Sequence, residues 1–406
     1  MSAAARPFLP ANTQNSPALS LVPPLSSAPQ AHRQGGWREG DPAGERRFAD
    51  LGGLTLENGD FLPHVRLAYE TWGTLNEDRS NAILILHALT GDAHVCGSGG
   101  EATPGQSTAG WWNEVVGPGC AIDTTQHFVV GVNVLGGCQG STGPSSSSID
   151  GLEWGSRFPL LTTRDQVNAE ALLADHLGIE CWHTVIGASL GGQRAYEWAV
   201  SYPERLERLI IVASSARASA EQAAWAHTQI QAITLDPSWQ GGDYYASGEA
   251  PTRGLALARQ IAHTTYRAPE ELAARFGNEA QQGENPLVGG RLAIASYLDY
   301  HGEKLVRRFD AGSYVALCRT MITHDVGRGR GGLERALGRV RAETLVIGVD
   351  SDRLFYPQEV RACAQVIPGA HYVEITSACG HDGFLIESDQ VSDAICRFYA
   401  NAALND

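Results

Sequence analysis

A serine flanked by glycines is the strongest chemical signal in the 406-residue sequence. Gly187-Ala-Ser189-Leu-Gly191 has the Gly-x-Ser-x-Gly spacing of a nucleophile elbow, and it lies between a short apolar run and a stretch with helical periodicity. In such an elbow the serine occupies a strained strand-to-helix turn, and the glycines allow the close backbone approach that exposes its hydroxyl. A plain glycine-rich turn could have the same sequence pattern, so the elements on either side must distinguish a nucleophile elbow from an ordinary turn. They predict Ser189 as a nucleophile.

An aspartate and a histidine further along the chain complete a possible catalytic triad. Asp352 follows one late predicted strand, and His381 follows the next. The order Ser, Asp, His is typical of α/β-hydrolases. In such a triad His381 takes the proton of Ser189, while Asp352 orients the imidazole and stabilises its charged form. Asp350 is the alternative for the acid, since either aspartate could instead cap a turn.

Two backbone N–H groups are expected to bind the oxyanion that forms when the serine attacks an acyl group. One belongs to Leu190, the residue after the nucleophile. The other is assigned to Leu89, in the loop that follows the apolar run 82–87, because α/β-hydrolases place their second donor there. An ordinary loop leucine is the alternative for Leu89, and only geometry can exclude it.

Apolar runs separated by helical patterns predict an α/β-hydrolase fold with a mostly parallel, doubly wound sheet. Strands are expected at residues 82–87, 128–133, 183–188, 208–213, 344–349 and 371–375. Earlier in the chain, residues 51–56 and 65–72 alternate between apolar and polar positions, which predicts a hairpin of edge strands.

The same patterns predict three parts of the chain. Residues 1–45, rich in Ala, Pro, Ser and Gln, are expected to be a disordered tail. Residues 46–217 and 335–406 form the expected core. Between them, residues 218–334 have helical periods with glycine-rich interruptions, and an insertion at this point is expected to form a cap over the carboxyl edge, where such sheets bind ligands.

The composition excludes several classes of partner. Thirty basic and 45 acidic residues give a net charge of −15, which opposes binding to nucleic acids and anionic membranes. No run approaches the roughly 18 apolar residues of a membrane helix, and the N-terminus lacks a secretion signal. The eight cysteines include no Cys-x-x-Cys pair, so free thiols in a cytoplasmic protein are expected.

A metal site is the rival interpretation for some of the same residue types. His87, Asp92 and His94 lie close in sequence. However, the chain has neither the His-Glu-x-x-His nor the Cys-x-x-Cys pattern of common metal sites. No metal and no tightly bound cofactor are therefore expected.

Many further strings, between about residues 50 and 400, resemble the homoserine O-acetyltransferases of methionine biosynthesis, and most of all their actinobacterial branch. Esterases that share only the elbow would lack these strings, so the resemblance is specific. They include His87-Ala-Leu-Thr-Gly-Asp-Ala-His94, Gly110-Trp-Trp112, Asn133-Val-Leu-Gly-Gly-Cys138, Trp154-Gly-Ser-Arg-Phe-Pro159, Asp236-Pro-Ser-Trp-Gln-Gly-Gly-Asp-Tyr244 and Gly380-His-Asp382.

The resemblance implies transfer of an acetyl group from acetyl-CoA, the co-substrate, to the hydroxyl of L-homoserine. It implies nucleophile Ser189, acid Asp352 and base His381. It also implies that Arg217 and Asp382 bind the amino-acid substrate, because a guanidinium suits a carboxylate and an aspartate beside the base can accept from an ammonium. The family is commonly dimeric, so a homodimer is expected.

Several points stay open at this stage. The arginines that bind CoA are unassigned, with Arg253, Arg259, Arg328 and Arg330 as candidates. The elbow has Ala188 and Leu190 where the family usually has Gly and Met, which leaves the acyl preference open. Succinyl-CoA as donor, serine or a deacetylated antibiotic precursor as acceptor, and a capped serine esterase are the alternatives. A catalytically inactive α/β-hydrolase used for binding is a further alternative, which the intact triad disfavours.

Overall fold

The computed structural model describes residues 35–97 and 109–402. Residues 1–34 of the expected disordered tail lie outside the described residues. Residues 35–45 differ from that expectation, because the Trp37 N–H donates to the Cys138 carbonyl (2.9 Å) and Arg38 donates to the Ser145 carbonyl (2.7 Å). Bonds of this kind to a distant loop need no hydrophobic periodicity, so the composition of the segment does not reveal them.

The strands of the described chain are β1 (Arg47–Asp50), β2 (Leu54–Thr55), β3 (Phe61–Leu62), β4 (Arg66–Trp72), β5 (Ala82–Leu86), β6 (Val116–Gly117), β7 (Ile122–Asp123), β8 (Phe128–Val132), β9 (Trp182–Ala188), β10 (Leu206–Val212), β11 (Glu343–Val349) and β12 (His371–Ile375). Within the described ranges, eight of them form one sheet in the order β1-β4-β8-β5-β9-β10-β11-β12. Strand β4 pairs antiparallel with β1 and β8, and every other pair is parallel. The predicted mostly parallel sheet is confirmed.

The helices are α1 (Thr163–Leu177), α2 (Leu190–Ser201), α3 (Ala220–Thr234), α4 (Thr252–Tyr266), α5 (Pro269–Phe276), α6 (Ala293–Val306), α7 (Ala311–Ile322), α8 (Leu333–Leu337), α9 (Pro357–Val366), α10 (Gly383–Ile386) and α11 (Ser388–Ala402). Helices α1, α2 and α9 cover one face of the sheet, and α11 covers the other. None of the helices in the described ranges combines the length and the apolar character that crossing a membrane requires.

The central strands are buried on both faces, as their continuous apolar runs predict. In β5, Leu84 and Leu86 pack into the core beneath α1, α2 and α9. The alternating residues Ile83 and Ile85 pack into the opposite core with α11. Because successive side chains of a strand point to opposite faces, a strand with apolar residues at every position needs both layers of helices.

The predicted hairpin of residues 51–56 with 65–72 is present only at its start, where Leu51 and Gly52 form backbone hydrogen bonds with Val65, and it is wrong for residues 53–56. Strand β4 pairs with β1 instead, and residues 54–55 form a separate two-stranded ribbon, β2 with β3. The backbone turns at Gly52, whose φ is +78°. A glycine adopts this left-handed conformation readily, and it ends the extended strand before the alternating residues that follow.

Helices α3–α7 lie between β10 and β11 in the chain. Of these, α3, α4, α6 and α7 contribute to a third apolar core at the carboxyl edge of the sheet. Leu89 and Leu190, which follow β5 and β9, are buried in this same core. The inserted helices therefore lie over the edge where the predicted site residues are located, and we call them the cap. Helix α8 spans the expected boundary at residue 335 and packs with the main core through Ala336 and Leu337.

Candidate active site

Ser189 occupies the sharp turn between β9 and α2. Its φ of +56° and ψ of −123° are unusual for a residue with a side chain, and such a conformation costs on the order of 1–3 kcal/mol. The flanking glycines are required by space: a Cβ on Gly187 would lie 2.1 Å from the carbonyl oxygen of Gly191, and one on Gly191 would lie 1.9 Å from that of Leu86. The tight packing of β9, α2 and β5 thus presents the serine hydroxyl at the sheet edge.

The hydroxyl of Ser189 lies in a continuous hydrogen-bonded row with His381 and Asp352. His381 Nε2 is 2.9 Å from Ser189 Oγ, and His381 Nδ1 is 2.7 Å from Asp352 Oδ2. The other oxygen of Asp352 accepts from the N–H groups of Leu354 (2.8 Å) and Phe355 (2.9 Å). All three side chains of the row are buried. The carboxylate is therefore fixed in place while it binds the imidazole.

The alternative acid, Asp350, has a different partner. Its Oδ1 accepts from the Ser377 N–H at 3.0 Å, so it binds the segment that leads toward His381. The geometry selects Asp352 over Asp350 as the residue that contacts the imidazole.

The environment of His381 favours its protonated form. Burial lowers the pKa of His381, but the adjacent Asp352 carboxylate outweighs burial, and Asp382 adds to it, so that the pKa lies above its usual value. The rings of Phe355 and Phe384 pack around the imidazole, with centroids 5.3 and 5.5 Å away. A proton taken up by this ring is thus stabilised by the carboxylate and kept from solvent by the aromatic side chains.

The two expected oxyanion donors differ in how they are positioned. Leu190 is the first residue of α2, so its N–H has no acceptor within the helix and lies at the positive end of the helix dipole. Leu89 follows His87, whose Nδ1–H donates to the Ala88 carbonyl (2.7 Å) and whose Nε2 accepts from the Val134 N–H (3.1 Å). Burial lowers the pKa of His87 to about 3, so the neutral ring holds this loop in place.

A buried ion pair links the elbow helix to the same loop. Arg194 on α2 pairs with Glu170 on α1 and also donates to the His87 carbonyl at 2.8 Å. Trp198 donates its indole N–H to the second oxygen of Glu170 at 2.8 Å. Separating Arg194 from Glu170 would leave an uncompensated charge in the core, which is energetically costly. These contacts therefore hold α2 firmly against the segment that carries Leu89.

The residues considered as metal ligands bind protein groups. His87 makes the two bonds given above, and His94 Nδ1 lies 2.8 Å from a carboxylate oxygen of Glu70. Asp92 accepts from the backbone N–H of His94 at 3.0 Å. In the part of the chain that the structure describes, no group of three or more His, Cys, Asp or Glu side chains is arranged to hold a metal ion.

Two residues of cap helix α4 extend the site above the triad. Arg259 and Tyr266 are seven residues apart, which places them on one face of the helix. The Tyr266 ring centroid is 5.8 Å from that of His381, and the Arg259 guanidinium lies 5.4 Å from the Tyr266 ring centroid. Arg259 also donates to Thr90 Oγ1 at 3.4 Å, next to Leu89. A cation therefore lies between the loop of Leu89 and the triad histidine.

A second cap arginine contacts the same loop. Arg308, which follows α6, donates to the carbonyl oxygen of Thr90, while Arg259 binds the hydroxyl of that residue. The backbone and the side chain of Thr90 are thus both held from the cap.

The two substrate residues expected from the resemblance have different positions. Asp382 adjoins His381, and its Oδ2 lies 3.2 Å from Nε of Arg267. Arg217 is exposed and lines a cavity of 840 Å³ whose lining includes none of the triad residues. The link after β10 instead brings Arg217 beside residues of α8 and α9 that line the same cavity. Proximity in sequence to a strand end does not give the direction of the side chain, so this difference was not predictable.

The four arginines considered for CoA are also in different surroundings. Arg328 pairs with Glu57 at 2.9 Å, and Arg330 pairs with Glu197. Both guanidiniums are engaged in ion pairs with the core. Arg253 is exposed near the start of α4, and Arg259 lies above the triad. The sequence analysis considered Arg259 only as a candidate for binding CoA. The helical spacing of Arg259 and Tyr266 was the one feature of the sequence that could have indicated a role near the triad.

Comparisons with known proteins place this geometry in a family. A model of the alpha/beta hydrolase fold matches residues 81–388. The chain is 57% identical over 382 residues to a homoserine O-acetyltransferase of Thermobifida fusca. The match covers 93% of this chain and 98% of that relative. The chain belongs to the homoserine O-acetyltransferase family. A homoserine O-acetyltransferase of Clavibacter michiganensis is 54% identical, covering 89% of this chain and 94% of that protein.

The solved structures with a similar backbone include both a homoserine O-acetyltransferase and an esterase. A homoserine O-acetyltransferase structure from Bacillus anthracis matches with a TM-score of 0.80 at 30% identity, covering 87% of this chain and 96% of that one. Esterase E22 matches with the same TM-score at 29% identity, covering 87% and 99%. The fold predicted from the sequence and the resemblance to the homoserine O-acetyltransferase family are both confirmed. Since backbone likeness is equal for both neighbours, the sequence identity decides the family.

Proposed function

We propose that the protein transfers the acetyl group of acetyl-CoA to the hydroxyl of L-homoserine, giving O-acetyl-L-homoserine and CoA. The observation that carries this proposal is the buried row of Ser189, His381 and Asp352 at the elbow, in a chain 57% identical to a homoserine O-acetyltransferase. Such a row activates a serine for covalent acyl transfer. Acetyl-CoA enters as a co-substrate, and no further cofactor is needed for this chemistry.

In the first half-reaction, Ser189 Oγ attacks the thioester carbonyl while His381 Nε2 takes the hydroxyl proton. The N–H groups of Leu89 and Leu190 bind the developing oxyanion. The carbon–sulfur bond then breaks, and His381 returns its proton to the sulfur as CoA leaves. The acetyl group remains as an ester on Ser189.

In the second half-reaction, the hydroxyl of L-homoserine gives its proton to His381 and attacks the acetyl ester. The bond to Ser189 Oγ breaks, and the serine regains its proton. Arg259 is placed to bind the substrate carboxylate, because its guanidinium lies beside the triad whereas that of Arg217 lines a separate cavity. In this proposal Asp382, next to the base, accepts from the ammonium. An oriented acceptor under the cap competes effectively with water for the acyl-enzyme.

CoA release in the presence and absence of L-homoserine tests this function directly. With acetyl-CoA alone, we expect a burst of about one CoA per active site followed by slow hydrolysis, because the acyl-enzyme waits for its acceptor. Saturating L-homoserine should raise the steady rate by about a hundredfold or more. Free-thiol detection under pre-steady-state conditions measures both phases.

A capped serine esterase would give the opposite pattern. It would hydrolyse the acyl-enzyme rapidly, and L-homoserine would leave the rate of CoA release unchanged. The same assay with succinyl-CoA as donor, and with L-serine as acceptor, separates the remaining alternatives. Faster turnover with either of them than with acetyl-CoA and L-homoserine would assign a different substrate pair.

Substitution of Arg259 by alanine should specifically weaken the acceptor half-reaction. Loss of a charge-assisted bond to a carboxylate costs about 1.5–3 kcal/mol, so kcat/KM for L-homoserine should fall by roughly 10- to 150-fold. The CoA burst should keep its amplitude, since acylation precedes acceptor binding. Arg259→Lys, which keeps the charge but loses the fork, should recover part of the loss.

Arg217→Ala is the matched control, because it removes an arginine that the resemblance also implied as a substrate ligand. We expect it to leave the burst and kcat/KM for L-homoserine within about twofold of the parent, as for surface substitutions away from the site. A large loss in Arg217→Ala with none in Arg259→Ala would reverse the assignment.

The homodimer and the cytoplasmic location stay predictions. Exposed apolar side chains on the cap, Leu257, Leu287, Val288 and Tyr300, support an interface there, because large apolar surfaces commonly mark sites of association. All eight cysteines are free thiols, which supports a reducing compartment.

A further inference from the structure

The cavity that Arg217 lines is separate from the triad and has the features of a second binding site. It has a volume of 840 Å³ and lies between the link after β10, helix α8 and helix α9. Arg217 and Arg335 contribute its cations, Glu334 and Glu359 contribute carboxylates, and Cys363 and Val366 contribute apolar surface from one face of α9. This volume is within the range of small-molecule sites.

The two arginines of the cavity differ from most others in the molecule. Within residues 35–97 and 109–402, no Asp or Glu lies within ion-pair distance of Arg217 or Arg335, whereas Arg328 and Arg330 pair with carboxylates of the core. Both cavity guanidiniums are exposed. Their donors are therefore available to a ligand without breaking an existing pair.

The backbone that carries Arg217 is fixed. The Ala218 N–H donates to the His324 carbonyl (3.0 Å), and the Val326 N–H donates to the Ala216 carbonyl (3.1 Å). The hydroxyl of Ser215 donates to the carbonyl of Arg217 itself at 2.9 Å. A preformed wall lowers the ordering cost of binding.

Charged and apolar side chains line the same cavity. Glu359, Cys363 and Val366 are four and three residues apart on α9, so they lie on one face of that helix, and all three line the cavity together with Arg217. Cys363 is only 7% exposed. Next to them, Ala362 and Val366 present small apolar surface. This combination suits a molecule that has both charges close together and an apolar side chain.

We propose that this cavity binds a zwitterionic α-amino acid with an apolar side chain. Arg217 and Arg335 bind its carboxylate, Glu359 accepts from its ammonium, and the side chain packs on Cys363 and Val366 of α9. The proposal goes beyond the acetyl transfer described above, since the ligand here is not the acceptor and the residues are not those of the triad.

Hydrogen bonds connect this cavity with the triad. Helix α3 begins at Ala220, in the cavity wall, and in its first turn Gln222 donates to the Leu354 carbonyl at 2.6 Å. The N–H of Leu354 in turn donates to Asp352 Oδ1 at 2.8 Å. A ligand that shifts the start of α3 therefore shifts the turn that holds Asp352, so its binding should change kcat.

Titration calorimetry of the full chain with L-norleucine tests the site, with hexanoate and pentylamine as probes that each lack one of the two charges. We expect L-norleucine to bind, and each single-charge probe to bind at least about tenfold more weakly. Saturating L-norleucine should change kcat without competing with L-homoserine. Arg217→Ala and Glu359→Gln should each weaken L-norleucine binding by about tenfold or more while leaving basal turnover unchanged.

Two controls locate the binding. Arg341→Ala removes an exposed arginine outside the cavity lining and should leave L-norleucine binding unchanged. Arg259→Ala should do the same, because that residue lies at the triad. The proposal is overturned if L-norleucine does not bind the parent protein, if Arg217→Ala and Glu359→Gln bind it normally, or if Arg259→Ala abolishes binding. Calorimetry needs no turnover, so failure of this site and failure of the acetyl-transfer proposal are distinguishable.

Discussion

Ser189→Ala should lower the rate of homoserine-dependent CoA release by about a millionfold, the scale on which a serine nucleophile acts within a triad. The substitution removes the only atom that would carry the acetyl group, so the pre-steady-state burst should vanish as well. Alanine keeps the backbone of the turn, and the melting temperature should change little. Stopped-flow thiol detection and a thermal melt measure the two quantities.

A double variant makes this test sharper. Because triad residues act as a unit, removing a second member costs little once the first is gone. Ser189→Ala combined with His381→Ala should therefore be about as slow as either single variant. Transfer in Ser189→Ala within about tenfold of the parent rate would rule out the acyl-serine.

Asp352→Asn should reduce kcat by about 10⁴-fold, because an amide stabilises the wrong imidazole tautomer and cannot stabilise the imidazolium. The pH profile should change too. His381 acts as a base only when neutral, and Asp352 raises its pKa, so activity of the parent should fall as the pH decreases through a value above the usual 6.5 of histidine. Removing the carboxylate lowers that pKa, and the acidic limb of kcat/KM should move to lower pH.

Asp350→Asn provides the matched control for that substitution. Asp350 accepts from the Ser377 N–H and does not contact the imidazole, so its amide should cost far less activity and leave the acidic limb near its original position. If Asp350→Asn moved the limb and Asp352→Asn did not, the identity of the acid would be reversed.

The triad could be predicted from the sequence because each member follows a strand with a strong local pattern. Glycines are required on both sides of Ser189, because a Cβ added to Gly187 or Gly191 would lie 2.1 or 1.9 Å from a backbone oxygen. Asp352 lies in the turn after β11, and His381 lies in the loop after β12. All parallel strands end at the same edge of a sheet, so chain order alone brings the three side chains together.

The cap residues were less predictable because their roles depend on how helices pack over the sheet. Arg259 lies above the triad only because α4 crosses that edge, and no local pattern gives the crossing. Arg217, close to a strand end in sequence, was assigned to the substrate, yet the link that carries it faces another cavity. The pairing of residues 53–56 with β4 was predicted wrongly for a similar reason. The chain turns away at Gly52, whose φ is positive, and the alternation of residues 51–56 does not reveal that turn.

The attachment of Thr90 to the cap has a consequence for how damage spreads through the molecule. Arg259 and Arg308 hold this residue by its hydroxyl and its carbonyl, while His87 and Arg194 hold the adjoining segment from the core. The short loop that carries Leu89 is thus braced by both layers of the protein, so a defect in either layer is transmitted to the same few backbone atoms.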